Sequence, residues 1–598
     1  MKNNSTVNLK INNKPVSVPK GSTVLEAALN LNIHIPTLCN HDDLCVAGNC
    51  RVCVVEQLGA KALIASCAQP ATEGMEILTN SLKVRNARKH IVELLLSEHN
   101  ADCTKCYRNQ NCELQTLANE FSFGDHIFLD LIEDHEMMID RTSASIIKDD
   151  SKCIRCQRCV RTCSALQKVS AIAVSGKGHE QKISTFNDRP LSHVVCTNCG
   201  QCVNRCPTGA LIEKSYIDYV WDAIYDTTKH VVVQTAPAVR VALGEDLGYD
   251  PGERVTGKLV TALKQIGFNS VLDTDFTADL TIMEEGTELL GRLKKALVDK
   301  DESVALPMCT SCSPGWIKFI EHKYPQLLPN LSTCKSPQQM FGALVKTYYA
   351  DQREIDPSDI ISVSIMPCTA KKFEANRPEM RDSGYKDVDY VLTTRELAVM
   401  IKQAGIDFRA LETDKYDSLM GDSTGAGVIF GATGGVMEAA IRTAYELVTG
   451  KEVPFKDLNI TPVRGMEGVK EASLKIEGCV QDWKFLEGAE LKVAIAHGLV
   501  NADNLMKKVA SGEAEYHFIE IMACPGGCIG GGGQPIPTNM TIRQNRIDAI
   551  YAEDMGMEIR KSHLNPEVIK IYKDFLGEPN SHKAHELLHT HYVERIMY

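Results

Sequence analysis

Two runs of cysteine with the same spacing constrain this chain more than any other feature. Cys153, Cys156, Cys159 and Cys163 form the first; Cys196, Cys199, Cys202 and Cys206, followed by Pro207, form the second. Both read C-x2-C-x2-C-x3-C, the spacing at which thiolates close on a 4Fe-4S cubane. Zinc also accepts four thiolates, but a zinc reading has to account for two identical runs. The 23 cysteines of this 598-residue chain fall largely in such short-spaced groups, which favours iron–sulfur ligation in a reducing, anaerobic compartment over a disulfide scaffold. A formal charge of −12 without any Lys/Arg-rich tract argues against a nucleic-acid partner. The opening MKNNSTVNLKINNK is polar, and no apolar run approaches the roughly 18 residues of a membrane span, so the expected location is cytoplasmic.

Ahead of the paired runs, Thr6–Ile11 and Pro15–Val18 read as a hairpin around Asn12-Asn13-Lys14. A helical stretch follows near Val24–Leu31, together implying a small mixed α+β fold. Cys39, Cys50, Cys53 and Cys67 then give C-x10-C-x2-C-x13-C in a loop containing Gly48, which suits a 2Fe-2S cluster. Cys45 with Cys50 and Cys53 gives the shorter C-x4-C-x2-C, so spacing leaves Cys39 and Cys45 as alternatives, with structural zinc as the rival metal. From Leu82 to Leu96 the pattern turns helical, and His99, Cys103, Cys106 and Cys112 follow as H-x3-C-x2-C-x5-C. A lone histidine at a helix end usually caps or faces solvent; one preceding three close cysteines completes the four ligands of a cubane.

After Tyr216 cysteines become rare. Apolar strands at His230–Gln234, Ser270–Leu272, Ile360–Ile365 and Leu491–His497 alternate with helical stretches, the pattern of an α/β core. Gly425, Gly427 and Gly431 do not fall as G-x-G-x-x-G, so nicotinamide or flavin binding on this chain is not expected. Three segments set cysteine beside proline, where backbone leaves regular structure: PMCTSCSPGW (Pro307–Trp316), MPCTAKKFE (Met366–Glu374) and EIMACPGGCIGGGGQP (Glu520–Pro535). Cys524 and Cys528 stand four apart across Pro525, Gly526 and Gly527, bringing two thiolates to one cluster. Alone this could be a glycine-rich turn with buried thiols; three such segments in one order are specific.

The three segments resemble the TSCCPxW, MPCxxKxxE and ExMACxxGCxxGGGxP motifs of the iron-iron hydrogenases, whose catalytic domain holds the six-iron H-cluster. The likeness covers nearly the whole chain and implies a multidomain α+β and α/β protein. Residues 1–80 would form a plant-type 2Fe-2S ferredoxin-like β-grasp domain, and 81–145 a His/Cys3 4Fe-4S module also found in complex I. Residues 146–216 would form a two-cluster bacterial-ferredoxin domain, 217–545 the α/β H-cluster domain, and 546–598 a segment like the small subunit of periplasmic relatives. The resemblance prefers Cys39 to Cys45. It also swaps the fourth cysteine between runs, giving Cys153, Cys156, Cys159 and Cys206 to one cubane and Cys196, Cys199, Cys202 and Cys163 to the other. Ser164 replaces the proline usual after the first run.

For the catalytic domain the resemblance implies that Cys368, Cys524 and Cys528 anchor the H-cluster cubane, Cys528 bridging to a two-iron subcluster bearing CO, CN and a dithiolate. Lys371 would hydrogen-bond a cyanide, and Met366 and Met522 would pack against the subcluster. TAPAVRVALGE (Thr235–Glu245) would lie beside it through Pro237 and Ala238, where Ala238 replaces the serine of some members. The dithiolate amine is the expected first base, and Cys312, Glu285, Ser332, Glu288 and Arg292 match the proton relay. Glu285, Glu288 and Arg292 stand at i, i+3 and i+7, a helix face that spacing alone would give to solvent. One position departs from the pattern: Ser313 follows Cys312 where the family's fourth cubane thiolate stands. Either Ser313 ligates as an alkoxide, or the loop shifts so that Cys312 ligates and Ser313 or Cys309 carries the proton. Cys45, Cys309, Cys334 and Cys479 are left as packing thiols.

His585-Glu586-Leu587-Leu588-His589 spells the H-E-x-x-H of zinc proteases, with His591 nearby, but no third ligand follows at the usual distance, and packing histidines are expected. The implied activity is reversible formation of hydrogen from protons and electrons. Electrons would pass through one 2Fe-2S and three accessory 4Fe-4S clusters to ferredoxin or a flavin- and NAD(P)-binding partner subunit, and maturation proteins would supply the H-cluster. The alternative is a catalytically silent hydrogenase-like electron-transfer or sensory protein, for which Ser313 is the best argument.

Overall fold

The computed structural model describes residues 5–121 and 138–596. The chain divides into two compact units. The first comprises Met1–Ala165, Ser170–Leu191 and Arg205–Ile212; the second comprises Leu166–Val169, Ser192–Asn204 and Glu213–Tyr598. This division differs from the expected boundaries in two places. The segment carrying Cys196, Cys199 and Cys202 belongs to the second unit, and the boundary expected at 545/546 falls inside the helix Met540–Gly556.

In the first unit the expected hairpin forms between Thr6–Ile11 and Lys14–Pro19. Asn12 and Asn13 take left-handed φ values of 49° and 66°, which asparagine tolerates and a tight hairpin turn of this hand requires. A five-stranded sheet in the order Lys14–Pro19, Thr6–Ile11, Glu76–Leu78, Val54–Gln57, Ile64–Ala65 is covered by the helix Val24–Leu29. Thr23 and Glu26 close a capping box on that helix, and its Val24, Ala27 and Ala28 pack on Leu9, Ile11, Val18, Val55 and Ile77. The helix Leu82–Ser97 stops two residues before His99.

The second unit is built on two four-stranded sheets. One is wholly parallel, ordered Ser270–Asp273, His230–Thr235, Ile360–Met366, Tyr390–Thr393. In the other, Met308–Cys309, Phe518–Met522 and Glu490–His497 run parallel and Val469–Lys475 closes the edge antiparallel. His230–Thr235, Ile360–Met366 and Phe518–Met522 are buried on both faces, which is why the sequence reads there as near-unbroken apolar runs. The C-terminal residues Val568, Ile571, Tyr572, Leu576, Ala584, Leu587 and Leu588 share one buried cluster with Val232, Leu272, Phe276 and Phe341, so they are part of the catalytic core. Each fully buried side chain of this kind contributes roughly 1.5–3 kcal/mol. No described helix is long and apolar enough to cross a membrane.

Candidate functional site

The three cysteine–proline segments each follow the C-terminal end of a strand: Thr310–Pro314 after Met308–Cys309, Pro367 and Cys368 after Ile360–Met366, and Ala523–Cys528 after Phe518–Met522. Thr235–Pro237 leaves His230–Thr235 in the same manner. In parallel α/β sheets this is the edge at which loops converge to make a site. Here they enclose a cavity lined by Pro237, Cys312, Met366, Cys368, Lys371, Met522 and Cys528, with Ala236, Thr274, Ala278, Pro337, Gln338, Pro367 and Phe430 completing the wall. Ala238 is the exception among the predicted residues. It is buried behind the wall, against Gly431, and its carbonyl accepts a hydrogen bond from Gln534 Nε2 at 3.0 Å.

The thiols of Cys368 and Cys524 hydrogen-bond to each other, which lowers the pKa of Cys368 and raises that of Cys524. Burial pushes Cys528 up to about 12. Thiols buried this deeply are poor anions by themselves and become good ones on a metal, so the donor set fits an iron cluster. Gly527 has φ +92°, and a Cβ there would lie 2.7 Å from the Thr433 nitrogen, so the turn between Cys524 and Cys528 requires glycine. His497, which the sequence reading missed, holds this turn: Gly526 N–H donates to His497 Nδ1 at 3.1 Å, leaving Nε2–H for the Met466 carbonyl at 3.2 Å. Lys371 Nζ donates to Glu374 Oε2 at 2.9 Å and to the Cys312 carbonyl at 3.1 Å, fixing the ammonium at the cavity wall.

Cys312 and Ser313 face different surroundings. Cys312 lines the cavity, and its thiol is pushed well above the ordinary range by burial and then by the Glu285 charge. Ser313 Oγ accepts from the Ala523 N–H at 3.2 Å, one residue from Cys524. Cys309 lies in a strand and packs with Trp316 and Ile519, as expected of a core thiol.

Glu285, Glu288 and Arg292 all lie on the helix Thr274–Leu297, and their face is turned inward, not to solvent. Glu285 is fully buried with Oε1 unpartnered, and burial followed by the Glu288 charge raises its pKa to about 8. Ser332 Oγ donates to Glu288 Oε2 at 2.9 Å. Arg292 donates to Glu288 Oε1 from Nη2 at 2.7 Å and Nε at 3.1 Å.

Within the second unit, the loop of Cys199 meets the glycine segment. Gln167 Nε2 reaches Cys199 Sγ at 3.6 Å and the Ala523 carbonyl at 3.1 Å. Gln201 Nε2 donates to Gly530 O and Asn204 Nδ2 to Gly531 O, both at 2.9 Å, and Thr369 Oγ1, beside Cys368, donates to Asn198 O at 2.7 Å. A Cβ on Gly532 would stand 2.3 Å from the Cys199 carbonyl. The glycines therefore let one cysteine loop lie directly on the other.

In the first unit, Cys153, Cys156, Cys159 and Cys206 line one pocket with Ile154, Ile172, Ile183 and Leu211. Burial raises Cys153 to about 11 and Cys156 to about 12. Cys163 belongs to this unit as well, its Sγ accepting from Ala171 N–H at 3.3 Å. Cys39, Cys50, Cys53 and Cys67 are buried together, with Cys53 and Cys67 sulfurs 3.3 Å apart, and the Cys50 and Cys67 thiols hydrogen-bond to Cys39 and lower its pKa. Cys45 is exposed. His99 has a buried Nδ1 without a hydrogen-bond partner, and burial lowers its pKa, leaving a neutral imidazole able to ligate. The charge of Cys106 acts on both Cys103 and Cys112.

Comparison with known proteins agrees with this geometry. Residues 229–532 match the iron only hydrogenase large subunit, C-terminal domain, and residues 540–595 the iron hydrogenase small subunit. Residues 4–81 match a 2Fe-2S iron-sulfur cluster binding domain, 88–126 the NADH-ubiquinone oxidoreductase-G iron-sulfur binding region, and 143–212 the ferredoxin-like domain of NADH-quinone oxidoreductase subunit 3. The NADP-reducing hydrogenase subunit HndD of Solidesulfovibrio fructosivorans is 50% identical over 99% of both chains. Iron hydrogenase 1 of Clostridium pasteurianum is 40% identical over 97% of this chain and 99% of its own. The solved apo [FeFe]-hydrogenase HydA1 of Chlamydomonas reinhardtii superposes with a TM-score of 0.57 at 46% identity, covering 64% of this chain and 99% of that one. With three cysteine–proline segments converging on one cavity, and with relatives matched end to end, the chain belongs to the iron-only hydrogenases and is an FeFe hydrogenase.

Proposed function

We propose that this hydrogenase interconverts protons, electrons and hydrogen at an H-cluster held by Cys368, Cys524 and Cys528. Cys368 and Cys528 line one cavity with Cys312, and the Cys524 thiol hydrogen-bonds to Cys368; that grouping of thiols carries the reading. The bound cluster supplies the iron centre at which hydrogen is made or split; the protein's residues position it and move the proton. Lys371 offers an ammonium to the ligands of the two-iron portion, while Met366, Met522 and Pro237 exclude water. Ser313, whose Oγ accepts from the Ala523 N–H beside Cys524, would supply the fourth ligand to the cubane, leaving Cys312 for the relay. Serine oxygen binds iron less readily than a thiolate, so that corner is the weakest of the four. A Ser313→Cys variant is expected to retain its cubane longer under chelator, followed by electron paramagnetic resonance.

Protons pass between the cavity and Glu288 through Cys312, Glu285 and Ser332, with Arg292 securing Glu288. Electrons arrive through a 2Fe-2S cluster on Cys39, Cys50, Cys53 and Cys67 and a 4Fe-4S cluster on His99, Cys103, Cys106 and Cys112. A further cubane would sit on Cys153, Cys156, Cys159 and Cys206 of the first unit, and Cys196, Cys199 and Cys202 of the second unit would supply ligands to another. Ferredoxin and a flavin-bearing NAD(P)-linked subunit are the partners this layout serves, the latter supported by the likeness to an NADP-reducing hydrogenase subunit, and maturation proteins install the cluster in the cytoplasm.

Infrared spectroscopy of the anaerobically matured protein tests the reading. Carbonyl and cyanide bands that shift under hydrogen are expected. Their absence, with accessory clusters visible by electron paramagnetic resonance, would overturn it.

A further inference from the structure

Arg292 holds Glu288 but cannot relay its proton, because a guanidinium stays protonated at any pH the protein meets. The groups on the other side of Glu288 can. A Glu288 carboxylate oxygen, the Cys334 sulfur and a His589 ring nitrogen lie within 4.8 Å of one another. Cys334 Sγ stands 3.8 Å from Glu288 Oε2 and 4.0 Å from His589 Nδ1. Thr333 N–H donates to Glu288 Oε2 at 3.0 Å while its Oγ1 lies 2.8 Å from the same ring nitrogen.

His589 Nε2 lies 3.1 Å from Oε2 of the buried Glu284, which also accepts from the Tyr572 hydroxyl at 2.5 Å and from the Asn580 N–H at 2.8 Å. The rings of His585 and His589 stack at 4.0 Å; His589 is 6% exposed, whereas His585 opens to solvent. The backbone holds the group in place: Thr590 N–H donates to Thr333 O at 2.7 Å, Lys335 N–H to Leu588 O at 2.8 Å, and Tyr592 Oη–H to Ser332 O at 2.9 Å.

We infer that protons travel between Glu288 and solvent through Cys334, His589 and His585, with Glu284 as the buried counter-charge for protonated His589. This rests on the relay reading of Glu285 and Glu288 above. In the outward direction the Cys334 thiol gives its proton to His589 Nδ1 and takes one from Glu288, so no charge remains on sulfur. The imidazolium then passes a proton to His585 when the two stacked rings, 4.0 Å apart, turn an N–H of one toward a nitrogen of the other, and His585 releases it to water. Inward transfer reverses each step.

Burial and the Glu288 charge keep Cys334 a thiol, as a donor must be. The groups facing His589 are Glu284 and Glu288 from the helix Thr274–Leu297, Thr333 and Cys334 from the loop behind it, and His585 from its own helix. Tyr572 and Asn580 lie behind Glu284, Arg292 behind Glu288, and His582 beside His585. A divalent cation suits the same three donors less well, because Arg292 already occupies Glu288 and both His589 nitrogens are hydrogen-bonded.

The test uses the fully matured enzyme, measuring hydrogen evolution from reduced methyl viologen across pH together with infrared bands. His589→Gln and Cys334→Ala are expected to slow evolution by about tenfold with the bands intact, and His589→Gln to change the shape of the pH profile. Added imidazole restores His589→Gln. His585→Gln, on the surface, gives a smaller loss of the same form. Unchanged rates and profiles overturn the inference. Where His589→Gln loses its bands, His585→Gln decides, and an unchanged profile overturns the inference. Glu285→Gln separates the two readings: if it is crippled while His589→Gln runs normally, only the His589 branch fails; if it too runs normally, the relay reading fails with it.

Discussion

Two regions behind the lining of the cavity are made from different chemistry, one proposed as the electron wall and one as the proton wall. On the wall that receives electrons, Gln201, Asn204 and Thr369 bind backbone carbonyls, and glycines bring the Cys199 loop against the Gly530–Gly533 run. On the proton wall, Glu285, Ser332, Glu288 and Cys334 follow one another through side chains. An electron tunnels across a fixed gap and asks only that the gap be short and constant. A proton moves from atom to atom and needs each atom to be a donor in one state and an acceptor in the next. The electron wall is therefore specified by volume and backbone, and the proton wall by titratable groups.

Changes confined to one wall should leave the other intact, and the largest effect is expected at Glu285. Glu285→Gln keeps the shape but cannot exchange a proton, so turnover should fall by about 10²–10⁴-fold while the infrared bands and accessory-cluster signals persist. A simultaneous loss of cluster signals would break the separation. The same variant sharpens it through pH. The folded pKa of Glu285 is raised to about 8 by burial, above its unfolded value, so the folded state binds this proton more tightly. Its contribution is fully present below the unfolded pKa and is lost as pH rises through about 8. Denaturant melts of wild type should thus lose stability between these limits relative to Glu285→Gln.

Gly532→Val acts on the opposite wall. Its Cβ would meet the Cys199 carbonyl, so the two cysteine loops must separate, at about 1–3 kcal/mol of stability. Stopped-flow reduction should show the accessory clusters filling while the H-cluster lags, with the proton relay's solvent isotope effect unchanged. The smallest change is Gln201→Ala, which removes one buried hydrogen bond to Gly530 and costs about 1 kcal/mol, read as a shift in thermal midpoint without a change in pH profile.

The same contrast explains what could be read from the sequence. The cysteine loops announce themselves because their spacing is local, and the glycine run is conspicuous because close backbone approach permits nothing larger. The helix Thr274–Leu297 was legible as a face bearing Glu285, Glu288 and Arg292, but which way it faced was not: charge at helical spacing reads as solvent until Ser332 and the cavity are brought against it. Cys334 and His589 passed as packing residues because 255 positions separate them, and no local pattern links them. His497 carried no motif, and its role depends on a turn that starts 29 residues later. Ala238 was assigned by likeness alone, and the backbone turns it away, leaving Ala236 and Pro237 at the wall.

The strap from Leu588 to Tyr592 across Ser332–Lys335 also sets a schedule for making the enzyme. A ribosome adding about 5–20 residues per second reaches Thr333 tens of seconds before it reaches His589. Through that interval the cavity wall exists as chain without its strap, while the N-terminal cysteine loops have long since emerged and are free to fold as a separate unit. Accessory clusters can thus be acquired while the chain is still being translated, whereas the catalytic wall closes only after synthesis has passed residue 590. The order of translation thereby sets an order in which the first unit's cysteines can be loaded before the catalytic site is sealed.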